Sequence, residues 1–344
     1  MTATRIEWAQ AVWNPVVGCS IVSAGCSNCY AMGMAWRVER CDTRGKSPHY
    51  AGLTRQSGGR AVWTGKVAAA PDHVWLAPLR RRVPTVYFVN SMGDLFHEGV
   101  PDDWIDRAFA VMALCPQHKF IVLTKRAERM RRYLQYPDII PLPNVALGVS
   151  VEDQASADER IPPLLATPAA IRLISAEPLL GPVDLNRIHE VFYDGHLHTW
   201  ESALSGKRFD PWTDFDCDPM MPGFPKLDWV IAGGESGKGS RPCHPDWARG
   251  LRDQCAAAGV PFFWKQWGDW SPHYARPGGD LGGDIRAGPV KSVNPSGRSD
   301  LESRNLTGRG GEPGTRYMAR VGKAKAGALL DGQLHRAAPD GWAA

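Results

Sequence analysis

The chain predicts an α/β fold, a parallel (β/α) barrel or partial barrel of six to seven βα units, TIM-barrel-like, with a Gly/Pro/Arg-rich C-terminal extension. Two observations predict it. Short runs rich in β-branched and aromatic residues recur along the chain, each ending in polar residues and followed by a helical stretch. Each run is also nearly continuous in apolar character, as strands covered on both faces of a parallel sheet are. Right-handed crossovers between such strands favour a barrel or part of one.

In chain order the runs are Thr85–Ser91, Lys119–Thr124, Asn144–Ser150, Ile171–Ser175, Leu227–Gly233 and Val260–Lys265. The helix starts agree with this reading. Pro101-Asp-Asp-Trp-Ile-Asp places acids in a first turn, with Ile105, Phe109 and Met112 at helical spacing on one face. His244-Pro-Asp-Trp opens another helix, and Gly259 stops it. Residues 186–226 read as an irregular insertion, too polar and broken for a core element, expected as a surface excursion or a lid over the barrel mouth. His189, His196, His198 and Cys217 in it are scattered ligand types that could bind a second metal. The reading divides the chain into a barrel domain, 1–270, and a flexible basic extension, 271–344. A short terminal element after Arg320 is expected to pack back through Leu329 and Leu330.

With 344 residues, 43% of them hydrophobic and 22% charged, the chain can bury a substantial core and is not a disordered polymer. The net charge of +4 lies in the extension, where residues 271–344 carry 11 basic against 7 acidic side chains. The eight cysteines are unevenly spread, no signal-like apolar run follows Met1, and no stretch is long enough to span a bilayer. A cytoplasmic protein without a membrane partner is expected.

The most specific feature is the trio Cys19, Cys26 and Cys29, spaced C-x6-C-x2-C. Three clustered thiolates can hold three corners of a 4Fe-4S cluster, leaving one iron free to bind a reactant. A zinc site is the alternative, with a fourth ligand from Cys41, His49 or Cys243.

In barrels the working residues sit at the carboxyl ends of the strands. Here these ends carry Asn90, Ser91, Asp94 and His97; Thr124, Lys125 and Arg126; Ser150 and Glu152; Ser175 and Glu177; Gly233, Gly234, Glu235 and Ser236; and Lys265, Gln266 and Trp267. A common pocket is expected there. Gly233-Gly-Glu-Ser-Gly237 fits neither a triphosphate loop nor a dinucleotide fingerprint. It is read as backbone that approaches a ligand closely and presents free N–H groups beside a carboxylate. Arg126, Arg129, Arg131 and Arg132 form a basic helical segment that could meet phosphate, and Trp264, Trp267 and Trp270 could stack a base.

Trp13-Asn-Pro with the three cysteines and Asn28-Cys-Tyr-Ala, Ser91-Met-Gly-Asp-Leu-Phe-His, Leu123-Thr-Lys-Arg, Gly148-Val-Ser-Val-Glu, Ile174-Ser-Ala-Glu-Pro-Leu-Leu-Gly, Trp229-Val-Ile-Ala-Gly-Gly-Glu-Ser-Gly and Phe263-Trp-Lys-Gln-Trp-Gly together resemble the phage-associated three-cysteine-motif family. The resemblance runs from Arg5 to about Trp270 and includes the short element near Arg320. It implies a phage or prophage setting, a three-Cys-motif partner protein and a nucleobase or nucleic-acid substrate. That family in turn resembles radical S-adenosylmethionine (SAM) enzymes, which place a three-cysteine loop after the first strand of a partial barrel. The departure is in the first gap, six residues here against the usual C-x3-C-x2-C. The implied roles are Cys19, Cys26 and Cys29 on the cluster, with Tyr30 packing near it and Asn28 donating to a cluster sulfur. Asp94 and Glu235 are assigned to the ammonium of SAM and Ser150 and Glu152 to its ribose, with Gly233 and Gly234 beside the cofactor. Lys125, Glu177 and Lys265 are assigned to the substrate. The alternatives are a zinc-stabilised nucleic-acid-binding module and a non-catalytic partner-binding subunit.

Overall fold

The structure, a computed structural model, describes residues 4, 6–136, 140–193, 196–209, 225–272, 290–296, 302–303 and 314–343. The side chains of 189–200, 208–209 and 302–303 lie outside that description, as does Cys217, so the four scattered ligand types of the insertion do too.

Seven strands form the main sheet: β1 (Ala11–Trp13), β2 (Val86–Val89), β3 (Lys119–Thr124), β4 (Val145–Ser150), β5 (Ile171–Ala176), β6 (Trp229–Ala232) and β7 (Phe262–Trp264). They lie in the order β1-β2-β3-β4-β5-β6-β7, so strand order in space equals strand order in sequence. This is the parallel α/β arrangement expected, in its partial form, with β1 and β7 as the two ends of the series. Six of the seven strands coincide with the apolar runs. The seventh, Ala11-Val-Trp13, is only three residues long and immediately precedes the cysteine loop.

The chain divides into two compact units. In the first, parallel registers pair Ala11 with Tyr87, Val86 with Lys119 and Phe120 with Val145. Its core centres on Trp13, whose ring meets Phe120 at 5.7 Å and Trp75 at 6.4 Å, while its indole N–H donates to Val74 O at 3.0 Å. Buried aromatic edges with a satisfied N–H fix such a residue in one orientation. The longer helices of this unit are α1 (Tyr30–Cys41), α2 (Asp102–Ala113) and α3 (Ala127–Leu134). α2 has the predicted acidic first turn and buries Ile105, Ala108, Val111 and Met112. Ile105 and Met112 are buried as predicted, whereas Phe109 is only half-buried and the stripe passes through Ala108 and Val111.

The second unit carries β6 and β7, paired in parallel as Val230 with Phe262, together with α4 (Gln154–Leu165) and α5 (Pro245–Ala258). α5 starts as predicted, with His244 Nδ1 accepting from Asp246 N at 3.1 Å, and stops at Gly259, whose φ is 66°.

Two expectations are corrected here. The first half of the 186–226 segment is not irregular: Ile188–Tyr193, His196–Glu201 and Arg208–Phe209 make a three-stranded antiparallel sheet. The described parts of the 271–344 extension are also folded. Val290–Val293 and Arg316–Arg320 pair with each other, and Arg320 pairs with Trp270. Residues 335–337 lie along the edge strand β7: Trp264 N donates to His335 O at 2.9 Å and the Trp229 indole donates to Ala337 O at 2.9 Å. An edge strand covered in this way offers no unpaired backbone on that side. Leu330 is fully buried as expected, whereas Leu329 is half exposed.

Candidate functional site

The cysteine loop is built by the end of β1 and the turn into α1. Asn14 ties it to the segment after β2, its Oδ1 accepting from Ser91 Oγ and from Met92 N, both at 3.1 Å. Gly18 N donates to Met92 O at 3.0 Å. At Gly18 the chain has φ of 93°, and a Cβ there would sit 2.2 Å from Lys66 O, so only glycine lets the backbone turn into Cys19 at this spot. Gly18→Ala is expected to cost at least about 2 kcal/mol and to displace Cys19. A denaturant-melt comparison with wild type measures the first effect.

Cys19 and Cys29 pack on one apolar cluster with Val17, Ala31, Met32, Ala35, Tyr50, Leu53, Trp63 and Met92. Cys26 is buried and its Sγ lies 3.8 Å from Ser23 Oγ. Cys29 is the N-cap of α1, where the amides of Ala31 and Met32 face its sulfur. Burial pushes the Cys29 thiol up, against those amides, while Cys26 raises it further and the Lys125 ammonium lowers it. Burial likewise pushes Cys19 up to about 12, with Asp94 and Cys29 adding and Arg126 opposing. Cys29 therefore interacts electrostatically with both Cys19 and Cys26, and in this state Cys19 and Cys29 are neutral thiols. Binding a metal through them releases protons. Among the described residues, no three His, Cys, Asp or Glu side chains converge so as to hold a single metal ion.

Beside Cys19 lies a buried polar hub around Arg126, which is 7% exposed. Its Nε donates to both oxygens of Glu98 at 3.1 and 3.0 Å, one terminal nitrogen donates to Asp94 Oδ2 at 3.0 Å and to Cys19 Sγ at 3.6 Å, and the other donates to Ser20 Oγ at 2.6 Å. Burial works against the guanidinium charge, but Asp94, Cys19 and Glu98 outweigh it and hold the group protonated. His97 completes the hub. Its Nδ1 accepts from Gly99 N at 3.0 Å, which leaves the neutral ring's proton on Nε2 to donate to Ser20 Oγ at 3.0 Å. Burial, and secondarily Arg126, lowers the His97 pKa, and burial does the same to His49 and His244. Each of these rings refuses a proton that the unfolded chain accepts near pH 6.5. Stability is thus fully present above that pH and falls as pH drops through it. Urea melts at pH 7.5 and 5.5 are expected to show a lower midpoint at pH 5.5, with a smaller difference in His97→Gln.

Asp94, expected beside an ammonium, is engaged within the chain. Its Oδ1 accepts from Thr124 Oγ1 at 2.7 Å and Phe96 N at 3.0 Å, and its Oδ2 from Lys125 N at 3.2 Å and Arg126 at 3.0 Å. All four lone-pair positions of the carboxylate are taken. The other carboxylates cast for SAM also face arginines. Glu152 holds Arg160 at 3.0 Å with both side chains under 5% exposed, and Glu235 accepts from Arg241 N, Nε and a terminal nitrogen at 2.7, 2.9 and 2.6 Å. The basic segment is internally matched as well: Arg131 and Arg132 pair with Glu128, and Arg129 donates to the carbonyls of His97 and Val100 and to Asp102. Tyr30 is half exposed and donates to Ser91 O at 2.9 Å, and Asn28 Oδ1 accepts from Arg60 at 3.0 Å.

In the second unit, Lys265 Nζ donates to Glu177 Oε1 at 2.7 Å, with the two side chains 13% and 20% exposed. The sequence had cast both for the substrate, and the fold brings them together. Gly233 and Gly234 do not present free N–H groups: Gly233 N donates to Ala176 O at 3.1 Å and Gly234 N to Gln266 O at 2.8 Å. A Cβ on Gly234 would lie 2.1 Å from Trp267 O. The glycines serve close approach of the chain to itself. Ser150, at the end of β4, is half-buried, and Ser175 lies buried in β5. The indoles of Trp267 and Trp270 are buried and donate to Leu329 O and Ser240 O, so neither ring is a stacking platform. Arg126 is legible in the sequence as a strand-end residue beside Lys125 and as one of four basic residues, but nothing in the spacing marks it as buried.

No described helix is long and apolar enough to cross a membrane. No curated protein and no solved structure matches the chain. One family model, described as protein of unknown function (DUF5131), matches residues 3–339, nearly the whole chain. With the parallel sheet, the cysteine loop and the strand-end residues all inside that span, the chain belongs to the DUF5131 family.

Proposed function

We propose that the protein is an iron–sulfur enzyme of the radical SAM type, with Cys19, Cys26 and Cys29 holding a 4Fe-4S cluster. The observation that carries this reading is the placement of three thiols after β1 on one loop-to-helix turn, with Cys29 coupled to both Cys19 and Cys26 and with Arg126 and Lys125 beside them. The donor set fits: a cluster takes one thiolate on each of three irons, and two cations flank sulfurs that must give up protons. Zinc makes a different demand, because about four ligands must converge on one centre with bonds near 2.3 Å to sulfur. The carboxylates expected around SAM are engaged by arginines, so in this reading a cluster held by Cys19, Cys26 and Cys29, rather than Asp94, Glu152 or Glu235, would bind its amino and carboxylate groups.

When bound, such a cluster supplies the electron that cleaves SAM to a 5'-deoxyadenosyl radical, which takes hydrogen from a substrate. The chain's own residues do the rest. The apolar cluster under Cys19 and Cys29 shields the sulfurs from water. In the second unit, Lys265 and Glu177 form a half-screened ion pair that can hold or move a proton at Nζ or Oε1. The resemblance to the three-cysteine-motif family supplies the remaining terms: a nucleobase or nucleic-acid substrate, a partner protein and a phage or prophage setting.

The test is cleavage of SAM by the reconstituted, chemically reduced protein under anaerobic conditions. Release of 5'-deoxyadenosine and methionine is expected from wild type, and from no cysteine variant. A protein that carries the cluster yet leaves SAM intact contradicts the radical SAM assignment.

A further inference from the structure

We propose that Arg126 is the positioning residue of the cysteine site, fixing the sulfur of Cys19 by a hydrogen bond and tuning whatever the three sulfurs hold. The inference rests on the cluster reading above and extends it to a residue outside the cysteine motif.

The geometry is that of a rigid fork. The guanidinium spans four partners, Glu98, Asp94, Ser20 and Cys19, from a position 7% exposed. Its own anchor is immobile, because Asp94 is held by Thr124 Oγ1 and by the amides of Phe96 and Lys125. Ser20, the residue next to Cys19, is gripped by the other terminal nitrogen and by His97. The donor to the Cys19 sulfur is therefore aimed by the segment after β2 and by the end of β3, and not by the cysteine loop itself. Arginine suits the task because its planar donors reach several acceptors at once; a lysine carries the charge but cannot span the set. Hydrogen bonds to cluster sulfurs raise reduction potential by favouring the more negative, reduced state.

The experiment compares full-length wild type, Arg126→Gln and Arg126→Lys, each reconstituted anaerobically with iron and sulfide, by metal analysis and potentiometric titration. The expected result is a reduction equilibrium about tenfold less favourable in Arg126→Gln, about 59 mV for one electron, with Arg126→Lys between it and wild type. Because Arg126→Gln leaves Asp94 buried and unpaired and can fail to fold, Asp94→Asn/Arg126→Met, which removes both charges, is measured beside it. A folded variant that no longer takes up iron and sulfide supports the assignment as well, since Cys19 has then lost its position. Folded variants with the wild-type potential overturn this inference alone. A wild type that takes up no iron and sulfide overturns the cluster reading, and this inference with it.

Discussion

Arg160→Ala is expected to destabilise the protein by about 3–5 kcal/mol, the cost of breaking a buried ion pair and leaving one charge without its counterion. The pair with Glu152 is among the most completely buried charged contacts described, with side chains 4% and 2% exposed and 3.0 Å apart. Glu152 is further fixed through its backbone, its N–H donating to Ser156 Oγ at 2.8 Å and its carbonyl accepting from Leu180 N at 2.7 Å. An orphaned carboxylate there cannot swing out to water without tearing that corner. Glu152→Gln/Arg160→Met removes both charges and is expected to recover most of the loss. Chemical denaturation of the three proteins checks this. Equal midpoints for wild type and Arg160→Ala contradict it.

The second large effect concerns the cysteines. Cys19→Ala, Cys26→Ala and Cys29→Ala are each expected to lose bound iron and sulfide, while the loss of one sulfur from a buried or half-buried position costs stability only on the order of 1 kcal/mol. Lys265→Ala is expected to keep full iron and sulfide and to lose turnover, because Lys265 meets Glu177 and no cysteine is among its described hydrogen-bond partners. Iron and sulfide assays on the four purified variants read this directly. A cysteine variant that keeps its iron removes that residue from the ligand set.

Much of the fold was legible because parallel strands leave a strong trace. Runs such as Phe120-Ile-Val122 and Val145-Ala-Leu147 are buried on both faces and so carry no polar alternation. β1 was hidden because Ala11-Val-Trp13 is too short to show any period between Gln10 and Asn14. The antiparallel strands of the insertion leave a signal of a different kind. His196-Leu-His-Thr-Trp-Glu201 is rich in strand-forming residues, with Thr and Trp among them, and Asp194-Gly195 before it is a hairpin dipeptide.

The candidate site was legible to a lesser degree. Cysteine spacing is local in sequence, so the trio stood out. Partners across the fold are not. Arg126 to Cys19 and Lys265 to Glu177 each join residues 88 or more positions apart. Likewise, no feature of Asp94, Glu152 or Glu235 in the sequence says that each is held by an arginine. The glycine pair 233–234 misled for the same reason: sequence tells that backbone comes close to something, and only the structure tells that the something is Gln266 and Trp267.

The central claim, a 4Fe-4S cluster on Cys19, Cys26 and Cys29 with one open iron, is tested most directly by anaerobic purification with iron, sulfide and zinc analysis, followed by electron paramagnetic resonance of the reduced protein with and without SAM. The account predicts about four irons and four sulfides per chain and a reduced-cluster signal that changes when SAM is added. One tightly held zinc, with no cluster after reconstitution, contradicts it and makes the protein a zinc-stabilised binding module.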